Sequence, residues 1–266
     1  MPRISIITPV YNGAAHIEAC LRNVESQNVK GLEHIVVDGG SPDGTAEIAR
    51  QHAARNPGIR VYSAKDNGQS DAMNKGLRLA ASPIVGILNV DDFYEAGAIN
   101  DALQFLESHP NVDFVSGDCN LRDENDKILG VNRPCDLRLE SLLMGWDFAP
   151  YPINPSAYFY RKEVHSVVGE YKISEHFAMD VCFLFACAAK VNMAYQPRTW
   201  GNFRHLPGAK TDQNFADAPR MMSRLRYRHI RMLPLHRRLP LIGRSLIQEV
   251  KVGYWDWRRE HAKRNR

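Results

Sequence analysis

ISIITPVYNGAAHIEACLRNV, residues 4–24, carries a pattern that the first half of the chain repeats. It begins with a β-branched apolar run that stops at Pro9, and apolar residues follow at positions 17, 20, 21 and 24. The first pattern is typical of a buried strand, and the second of one face of a helix. We therefore predict a strand followed by a helix at the beginning of the chain.

The same alternation occurs three more times before residue 110. Strand patterns at 33–38, 59–64 and 83–90 are each followed by a helical pattern, at 45–55, 71–81 and 98–109. Such alternation predicts an α/β fold with a mainly parallel, Rossmann-like sheet covered by helices on both faces. After residue 120 shorter strands and helices follow, and we expect them to extend the same sheet.

Composition excludes several classes of protein. A hydrophobic fraction of 44% and a charged fraction of 24% are ordinary for a globular protein, so we expect no disordered body. The five cysteines form no C-x-x-C pair, which argues against a disulfide framework or a zinc site. We find no signal-peptide pattern and no apolar run of the ~18 to 20 residues that a membrane span needs, so we predict a cytoplasmic protein.

Polar side chains follow the predicted strands, where open α/β sheets bind their ligands. The G-x-G-x-x-G and G-x-x-x-x-G-K-[ST] nucleotide fingerprints are both missing, which argues against the dinucleotide-binding and phosphate-loop classes of protein. Asp91 and Asp92 stand side by side after the fourth strand. Two such carboxylates repel each other, and Mg²⁺ or Mn²⁺ shared with a substrate phosphate would relieve that repulsion. Alternatively, both acids only shape a turn and cap the next helix.

Three segments together resemble the family-two glycosyltransferases, whose domain is called GT-A. They are residues 4–27, residues 33–45 (EHIVVDGGSPDGT) and residues 66–99 (DNGQSDAMNKG through NVDDFYEAGAI), in that order and at these spacings. The resemblance covers roughly residues 3–210. It implies a GT-A domain over 1–215, followed by a basic helical appendage over 216–266.

The resemblance also implies roles for particular residues. Asp92 would be the principal ligand of Mn²⁺ or Mg²⁺, and Asp91 would face the ribose or the donor sugar. Pro9 and Tyr11 would line the base pocket, and Asp38 would hydrogen-bond the nucleobase. By itself, an acid before Gly-Gly is more often a turn residue.

Two further motifs match the family. In DNGQSDAMNKG, the residues that would approach the donor are Asp71, Asn74 and Lys75. In GNFRHLPGAKT (201–211), Arg204 and Lys210 would face the diphosphate, and His205 would complete the metal shell or contact phosphate. Without the resemblance, Asp71 is an ordinary first-turn acid favoured by the helix dipole.

A sugar transfer with inversion needs a base that takes the proton of the acceptor hydroxyl. In the family this acid precedes a late apolar helix, and SEHFAMDVCFLFACA (174–188) is the matching stretch. We assign Asp180, with Glu175 and His176 as nearby substitutes. The competing interpretation makes Asp180 the N-cap of that helix.

The last part of the chain is strongly basic. Residues 220–266 contain 14 Lys and Arg against 3 Asp and Glu, a net charge of +11, so residues 1–219 carry −7 of the chain's +4. Apolar residues alternate with these cations, which is typical of a helix on an anionic membrane surface. A solvated helical face is the plainer interpretation, and we expect no nucleic-acid partner because no nucleic-acid fold signature accompanies the cations.

The sequence thus predicts an inverting, metal-dependent glycosyltransferase at the inner face of the cell membrane. Its donor would be a nucleotide sugar, with a UDP-sugar favoured, and its acceptor a glycan or a lipid-linked glycan. Two alternatives stay open. One is a transferase acting on polyprenyl phosphate, and the other is an inactive relative that binds glycan or serves as a scaffold.

Overall fold

The computed structural model describes residues 2–145, 149–208 and 218–243. Its strands are β1 Ile4–Val10, β2 Leu32–Asp38, β3 Ile59–Ser63, β4 Ile84–Ile87, β5 Phe93–Tyr94, β6 Phe114–Arg122, β7 Ile128–Asn132, β8 Tyr158–Arg161 and β9 Met193–Arg204. Its helices are α1 Ile17–Ser26, α2 Thr45–Ala53, α3 Gln69–Leu79, α4 Ala98–Ser108, α5 Leu139–Met144, α6 Val164–Val168, α7 Met179–Lys190 and α8 Ala218–Met232. A short 3₁₀ helix spans Pro155–Ala157, and residues 235–243 are helical.

The described strands form one nine-stranded sheet in the order β3-β2-β1-β4-β8-β6-β9-β5, with β7 paired to β6. Strands β1 to β4 are mutually parallel, as predicted, so their carboxyl ends lie at one edge. The prediction of a mainly parallel sheet does not extend to the second half. There β8 runs antiparallel to both β4 and β6, and only β6 and β9 are parallel. Strand β7 also pairs antiparallel with β6, because the connection between these two strands is too short for the crossover that parallel strands need.

Helices cover both faces of the sheet, as the sequence predicted. On one face Ile4 and Ile6 of β1 pack with apolar residues of α1 and α4. On the other face Ile7 packs with apolar residues of α3 and α7. This split follows from the alternation of side chains along a strand. The polar connections between strands and helices therefore lie at the carboxyl edge of β1 to β4.

Helix α8 is docked on the body of the protein. Its Leu225 and Ile230 are buried among apolar residues of α5 and α7, and Arg226 donates a hydrogen bond of 3.1 Å to the carbonyl oxygen of Met144. The first part of the predicted basic appendage is therefore helical and packs beside α7. No helix in the described parts of the chain is long and apolar enough to cross a bilayer.

Candidate active site

A cavity of about 880 Å³ opens at the carboxyl edge of the parallel strands. Five of the predicted site residues line it: Pro9, Tyr11, Asp91, Asp92 and Asp180. They come from the ends of β1 and β4 and from the first turn of α7, which lie far apart in sequence. The parallel strands bring the first four together because their carboxyl ends share one edge of the sheet, and α7, which packs on that sheet, adds Asp180.

Asp92 is the most buried carboxylate of this cavity, with 2% exposure. Its Oδ2 accepts hydrogen bonds from Asn154 Nδ2 at 2.8 Å and Asn89 Nδ2 at 3.0 Å. Its Oδ1 accepts one from the backbone N–H of Arg204 at 3.0 Å. Burial, and then the neighbouring Asp91 carboxylate, raise the pKa of Asp92 to about 7. Burial and mutual repulsion therefore make it unfavourable for both carboxylates to be charged at the same time.

Neither acid caps the following helix. Helix α4 begins at Ala98, and its N-cap is Gly97, whose φ of 80° lies in the left-handed region. Asp91 is half-buried and lines the cavity, and its carbonyl oxygen accepts a hydrogen bond of 2.6 Å from Arg204 Nε. The capping interpretation of this acidic pair is thus wrong, and Asp91 is the more accessible of the two carboxylates.

One end of the cavity has the character of a ring-binding pocket. Tyr11 is 63% exposed there, next to Pro9, Gly39, Gly40 and Asp66. The backbone N–H of Gly39 donates a hydrogen bond of 2.9 Å to the carbonyl oxygen of Val10, which ties the ends of β1 and β2 together. An exposed aromatic ring beside close-packed backbone can accept a planar ligand by stacking.

Asp38 lies beneath this end of the cavity and is not among its lining residues. Its side chain has 0% exposure and accepts hydrogen bonds from the backbone N–H of Gly40 at 3.1 Å and of Ser41 at 3.2 Å. The hydroxyl of Ser63 donates to it at 2.7 Å, and that of Ser41 also donates to it. Asp38 therefore shapes the loop after β2, as the turn interpretation expected. Its contact with a nucleobase stays a prediction.

The three residues of the DNGQSDAMNKG motif that were predicted to approach the donor, Asp71, Asn74 and Lys75, do not line the cavity. Asp71 accepts a hydrogen bond from the backbone N–H of Asn67 at 3.0 Å and lies 3.3 Å from Lys75 Nζ. The bond from Asn67, and then Lys75, lower the pKa of Asp71 against the opposing effect of burial. Asn74 is buried and exchanges two hydrogen bonds of 2.9 Å with the backbone of Tyr171. The structure therefore shows all three residues in supporting positions behind the cavity wall.

The predicted site residues of the GNFRHLPGAKT motif are only partly brought together around the acidic pair. The guanidinium of Arg204 lies 5.5 Å from the ring centroid of Phe93 and 3.8 Å from Asp126, and Arg204 is not among the residues that line the cavity. The backbone N–H of His205 donates to the carbonyl oxygen of Arg122 at 2.8 Å, and His205 does not line the cavity. Lys210 lies outside the described residues.

Asp180 lies in the first turn of α7 and faces the cavity. The N-cap of this helix is Ala178, so the N-cap interpretation of Asp180 is wrong. His176 lines the cavity as well. Glu175 instead pairs with Arg228 of α8 at 2.6 Å, which connects the loop before α7 to the basic helix.

A divalent cation is compatible with Asp91 and Asp92, although no complete metal shell is preformed. Among residues 2–145, 149–208 and 218–243, no group of three or more His, Cys, Asp or Glu is positioned to hold a metal ion. Mg²⁺ and Mn²⁺ commonly use only one or two protein carboxylates and take their other ligands from substrate phosphates and water. Two adjacent carboxylates on a cavity wall fit that requirement.

Two residues of the site escaped the sequence analysis. Asn154 lies 62 positions from its partner Asp92, and only the fold brings the two together. Asp66 belongs to a quoted motif, but its position over Gly39 depends on the pairing of β2 and β3. The N-P-S sequence at 154–156, a helix start with an Asn cap, was the one local signal for Asn154.

Comparison with known proteins shows what the chain is similar to. The family model "Glycosyl transferase family 2" matches residues 5–158. The "PGL/p-HBAD biosynthesis glycosyltransferase" of Mycobacterium tuberculosis is 31% identical over 269 residues, which cover 97% of this chain and 98% of that protein. The chain is also similar to the "Uncharacterized glycosyltransferase EpsJ" of Bacillus subtilis, at 37% identity over 35% of this chain and 27% of that one.

Solved structures share the fold. The mannosyltransferase PcManGT from Pyrobaculum calidifontis, in complex with GDP-Man and Mn²⁺, superposes with a TM-score of 0.64 at 20% identity, covering 95% of this chain and 75% of that one. TarS 1-349 of S. aureus in complex with UDP has a TM-score of 0.62 at 18% identity, with coverages of 83% and 64%. At such low identity these structures establish the fold alone.

Proposed function

The chain belongs to glycosyl transferase family 2, and from this premise we propose that it is an inverting, metal-dependent glycosyltransferase. It would move one sugar from a nucleoside-diphosphate sugar to an acceptor hydroxyl. The observation that carries this proposal is a single cavity lined by an exposed aromatic ring, an acidic pair and a separate carboxylate, namely Tyr11, Asp91 with Asp92, and Asp180.

The acidic pair serves the leaving group. Asp91 and Asp92 would hold Mn²⁺ or Mg²⁺, with the diphosphate as a further ligand. A bound divalent cation neutralises the charge that develops on the leaving diphosphate. The three hydrogen bonds to Asp92 favour its charged form and fix its orientation, which keeps it available as a ligand. As the family resemblance implies, His205 would complete the metal shell or contact phosphate, and Lys210 would face the diphosphate.

Asp180 serves the acceptor. In the transfer, the acceptor oxygen forms a bond to the anomeric carbon while the bond from that carbon to the diphosphate oxygen breaks. The hydroxyl proton goes to the carboxylate of Asp180, which lines the same cavity as the acidic pair. Arg204 would support this site through its two hydrogen bonds to the acidic pair.

A lipid-linked glycan is the acceptor that the basic face of the protein favours. We define this face by Tyr227, Arg231, Met232, Leu235 and Leu239, which are all exposed. Residues 218–243 contain seven arginines and no acid, and α8 is joined through Arg228 and Glu175 to the loop that precedes α7. An anionic membrane surface attracts such a face. The enzyme would then act as a peripheral protein with its acceptor side turned towards the lipid. A relative named for PGL/p-HBAD biosynthesis is consistent with a glycolipid product.

A thermal-shift screen tests the donor class. We expect selective stabilisation by one of UDP, GDP, dTDP or CMP, greater in the presence of Mn²⁺, because a ligand that binds only the folded state stabilises it by mass action. Hydrolysis or transfer of the matching radiolabelled nucleotide sugar then distinguishes an enzyme from an inactive scaffold. A polyprenyl-phosphate acceptor would be recognised by transfer to that lipid that does not depend on Asp180, since this acceptor is already ionised.

The decisive variant is Asp92→Asn. We expect it to abolish turnover and the effect of Mn²⁺ while the protein stays folded. Asp118→Asn is the matched control, because Asp118 is similarly buried, at 7% exposure, and does not line the cavity. Full turnover by the Asp92 variant, or no nucleotide binding by the wild type, would overturn the proposal.

A further inference from the structure

Asp66 occupies the space that a side chain at position 39 would take. A Cβ built on Gly39 would lie 2.7 Å from Asp66 Oδ2, closer than real Cβ atoms come to other atoms, and 3.1 Å from its Cγ. Asp66 Oδ1 accepts a hydrogen bond of 2.8 Å from the backbone N–H of Gly68, which fixes the carboxylate in this place. The absence of a side chain at Gly39 therefore lets the Asp66 carboxylate reach the end of β2.

This carboxylate belongs to the ring-binding end of the cavity. Asp66, Gly39, Pro9 and Tyr11 all line it, and the ends of β1 and β2 hold Tyr11 beside Gly39. Asp38 is close in sequence, but its carboxylate is fully buried and occupied by the loop after β2. Of the two acids, Asp66 is the one positioned to accept a hydrogen bond from a planar ligand stacked near Tyr11.

We infer that Asp66 accepts a hydrogen bond from the nucleobase of the donor and selects bases that carry a ring N–H. The inference rests on the proposed function, since it assigns a residue within the same donor site. A carboxylate is an acceptor only. Uracil and thymine present a ring N–H on their pairing edge, and guanine presents a ring N–H with an adjacent amino group. Cytosine and adenine present an unprotonated ring nitrogen there, which a carboxylate opposes, and only their exocyclic amino group could donate to it. Asp66 therefore favours UDP-, dTDP- or GDP-sugars over CDP- or ADP-sugars.

The Asp66→Asn variant tests this directly. The backbone N–H of Gly68 holds the side-chain oxygen at the Oδ1 position, so the amide nitrogen takes the place of Oδ2. An acceptor becomes a donor at the same point, with almost no change of volume. Isothermal titration with UDP, dTDP, GDP, CDP and ADP in Mn²⁺ should show binding of the preferred diphosphate weakened about 10- to 100-fold, the effect of losing a charged hydrogen bond. The affinity for CDP and ADP should stay equal or increase.

Two further variants control for charge and for folding. Glu124→Gln removes an exposed carboxylate that does not line the cavity, and it should keep the wild-type ranking of nucleotides. Gly39→Asp combined with Asp66→Ala returns a carboxylate to this space, and Gly39 does not have the positive φ that would strain an aspartate. The double variant should bind the preferred diphosphate more tightly than Asp66→Ala alone.

The outcomes separate this inference from the proposed function. If the wild type binds no nucleotide, the proposed function fails and the inference fails with it. If the wild type binds one diphosphate selectively and Asp66→Asn keeps the same affinities and ranking, only the inference is overturned. A ranking that shifts from ring N–H bases towards cytosine and adenine supports it.

Discussion

The side-chain amide of Asn154 donates a hydrogen bond of 2.8 Å to the carboxylate of Asp92, across 62 positions of sequence. Asn154 is itself 2% exposed, and its oxygen accepts from the backbone N–H of Ser156 at 2.8 Å, so its orientation is fixed from both ends. Hydrogen bonds to a carboxylate favour its charged form, whereas burial disfavours it. Asn154 thus helps to keep Asp92 ionised at a buried position where water cannot solvate the carboxylate fully.

Replacing Asn154 should therefore weaken metal binding. In Asn154→Ala the Asp92 carboxylate loses a donor, and we expect its pKa to rise further above the value of about 7 that burial and Asp91 give it. A metal ligand must be deprotonated, so Mn²⁺ affinity at neutral pH should fall by about tenfold, which corresponds to ~1.4 kcal/mol. Electron paramagnetic resonance of free Mn²⁺ in titrations with nucleotide measures this.

Asn132→Ala provides the matched control for that measurement. Asn132 is equally buried, at 2% exposure, but its side chain accepts from the backbone N–H of Ile153 and lies outside the cavity lining. We expect it to lower stability without changing Mn²⁺ affinity. Equal losses of Mn²⁺ affinity in both variants would show that Asn154 acts only through the fold.

Asp180→Asn should separate donor binding from sugar transfer. The amide keeps the shape of the carboxylate but cannot take the proton of the acceptor hydroxyl. General-base catalysis commonly contributes about 10²- to 10⁴-fold, so turnover should fall by that factor while nucleotide affinity in Mn²⁺ stays unchanged. Initial rates with a labelled nucleotide sugar, together with isothermal titration of the nucleotide, measure the two quantities.

Glu175→Gln is the control for this assignment because Glu175 is an acid of the same loop that pairs with Arg228 instead of lining the cavity. It should retain most of the wild-type turnover. If Asp180→Asn turns over near the wild-type rate, or if Glu175→Gln is the variant that loses transfer, then Asp180 is not the base.

The fold of the first half was predictable because its signals are local. The apolar run of β1 and the helical spacing of Ile17, Cys20, Leu21 and Val24 stand next to each other, and all four helix positions are buried as that spacing requires. The second half was less predictable. Strand β9 pairs in parallel with β6 and antiparallel with β5, and such pairings depend on partners far away in sequence.

The site was predictable only where a residue's role depends on its own position along a strand or helix. Asp91, Asp92 and Tyr11 follow strand ends, so they had to lie at the carboxyl edge of the sheet. Asn74 shows the limit of this reasoning. It was predicted to face the donor, but both of its hydrogen bonds go to the backbone of Tyr171, 97 positions away, and no local pattern indicates that partner.

The basic face should bind anionic vesicles through three apolar side chains. Met232, Leu235 and Leu239 are 78%, 67% and 64% exposed, and the last two lie one helical turn apart. Inserted into a bilayer, they should together contribute at least about 2 kcal/mol, so replacing all three with Gln should weaken binding at least about 30-fold. Sedimentation with vesicles of phosphatidylcholine and phosphatidylglycerol at low salt measures the effect.

The control for vesicle binding lies on the β6–β7 hairpin. Ile128 and Leu129 are 48% and 61% exposed, in a segment without the arginine-rich surroundings of α8. Replacing both with Gln should leave sedimentation unchanged, and pure phosphatidylcholine should not retain the wild type. Undiminished binding by the triple variant would contradict a role of this face, and it would favour the segment beyond residue 243 or a protein partner.

A buried histidine should make the protein sensitive to mild acid. His34 is 2% exposed, and its Nε2 lies 2.9 Å from the hydroxyl oxygen of Thr8. Burial lowers the pKa of His34 from its ordinary value of 6.5 to about 3. Between these two pH values the unfolded chain binds a proton that the folded protein does not, so the free energy of unfolding falls as the pH falls from 6.5 towards 3. The slope from this group is at most about 1.4 kcal/mol per pH unit.

His34→Gln removes this titration and keeps a polar group within reach of Thr8. Urea unfolding at a series of pH values should show a loss of stability below pH 6.5 that is shallower in His34→Gln than in the wild type, by up to that limiting slope. His236→Gln changes an exposed histidine and should follow the wild-type curve. Parallel curves for the wild type and His34→Gln would mean that His34 binds its proton equally well in the folded and the unfolded protein, and that the acid sensitivity has its origin in other groups.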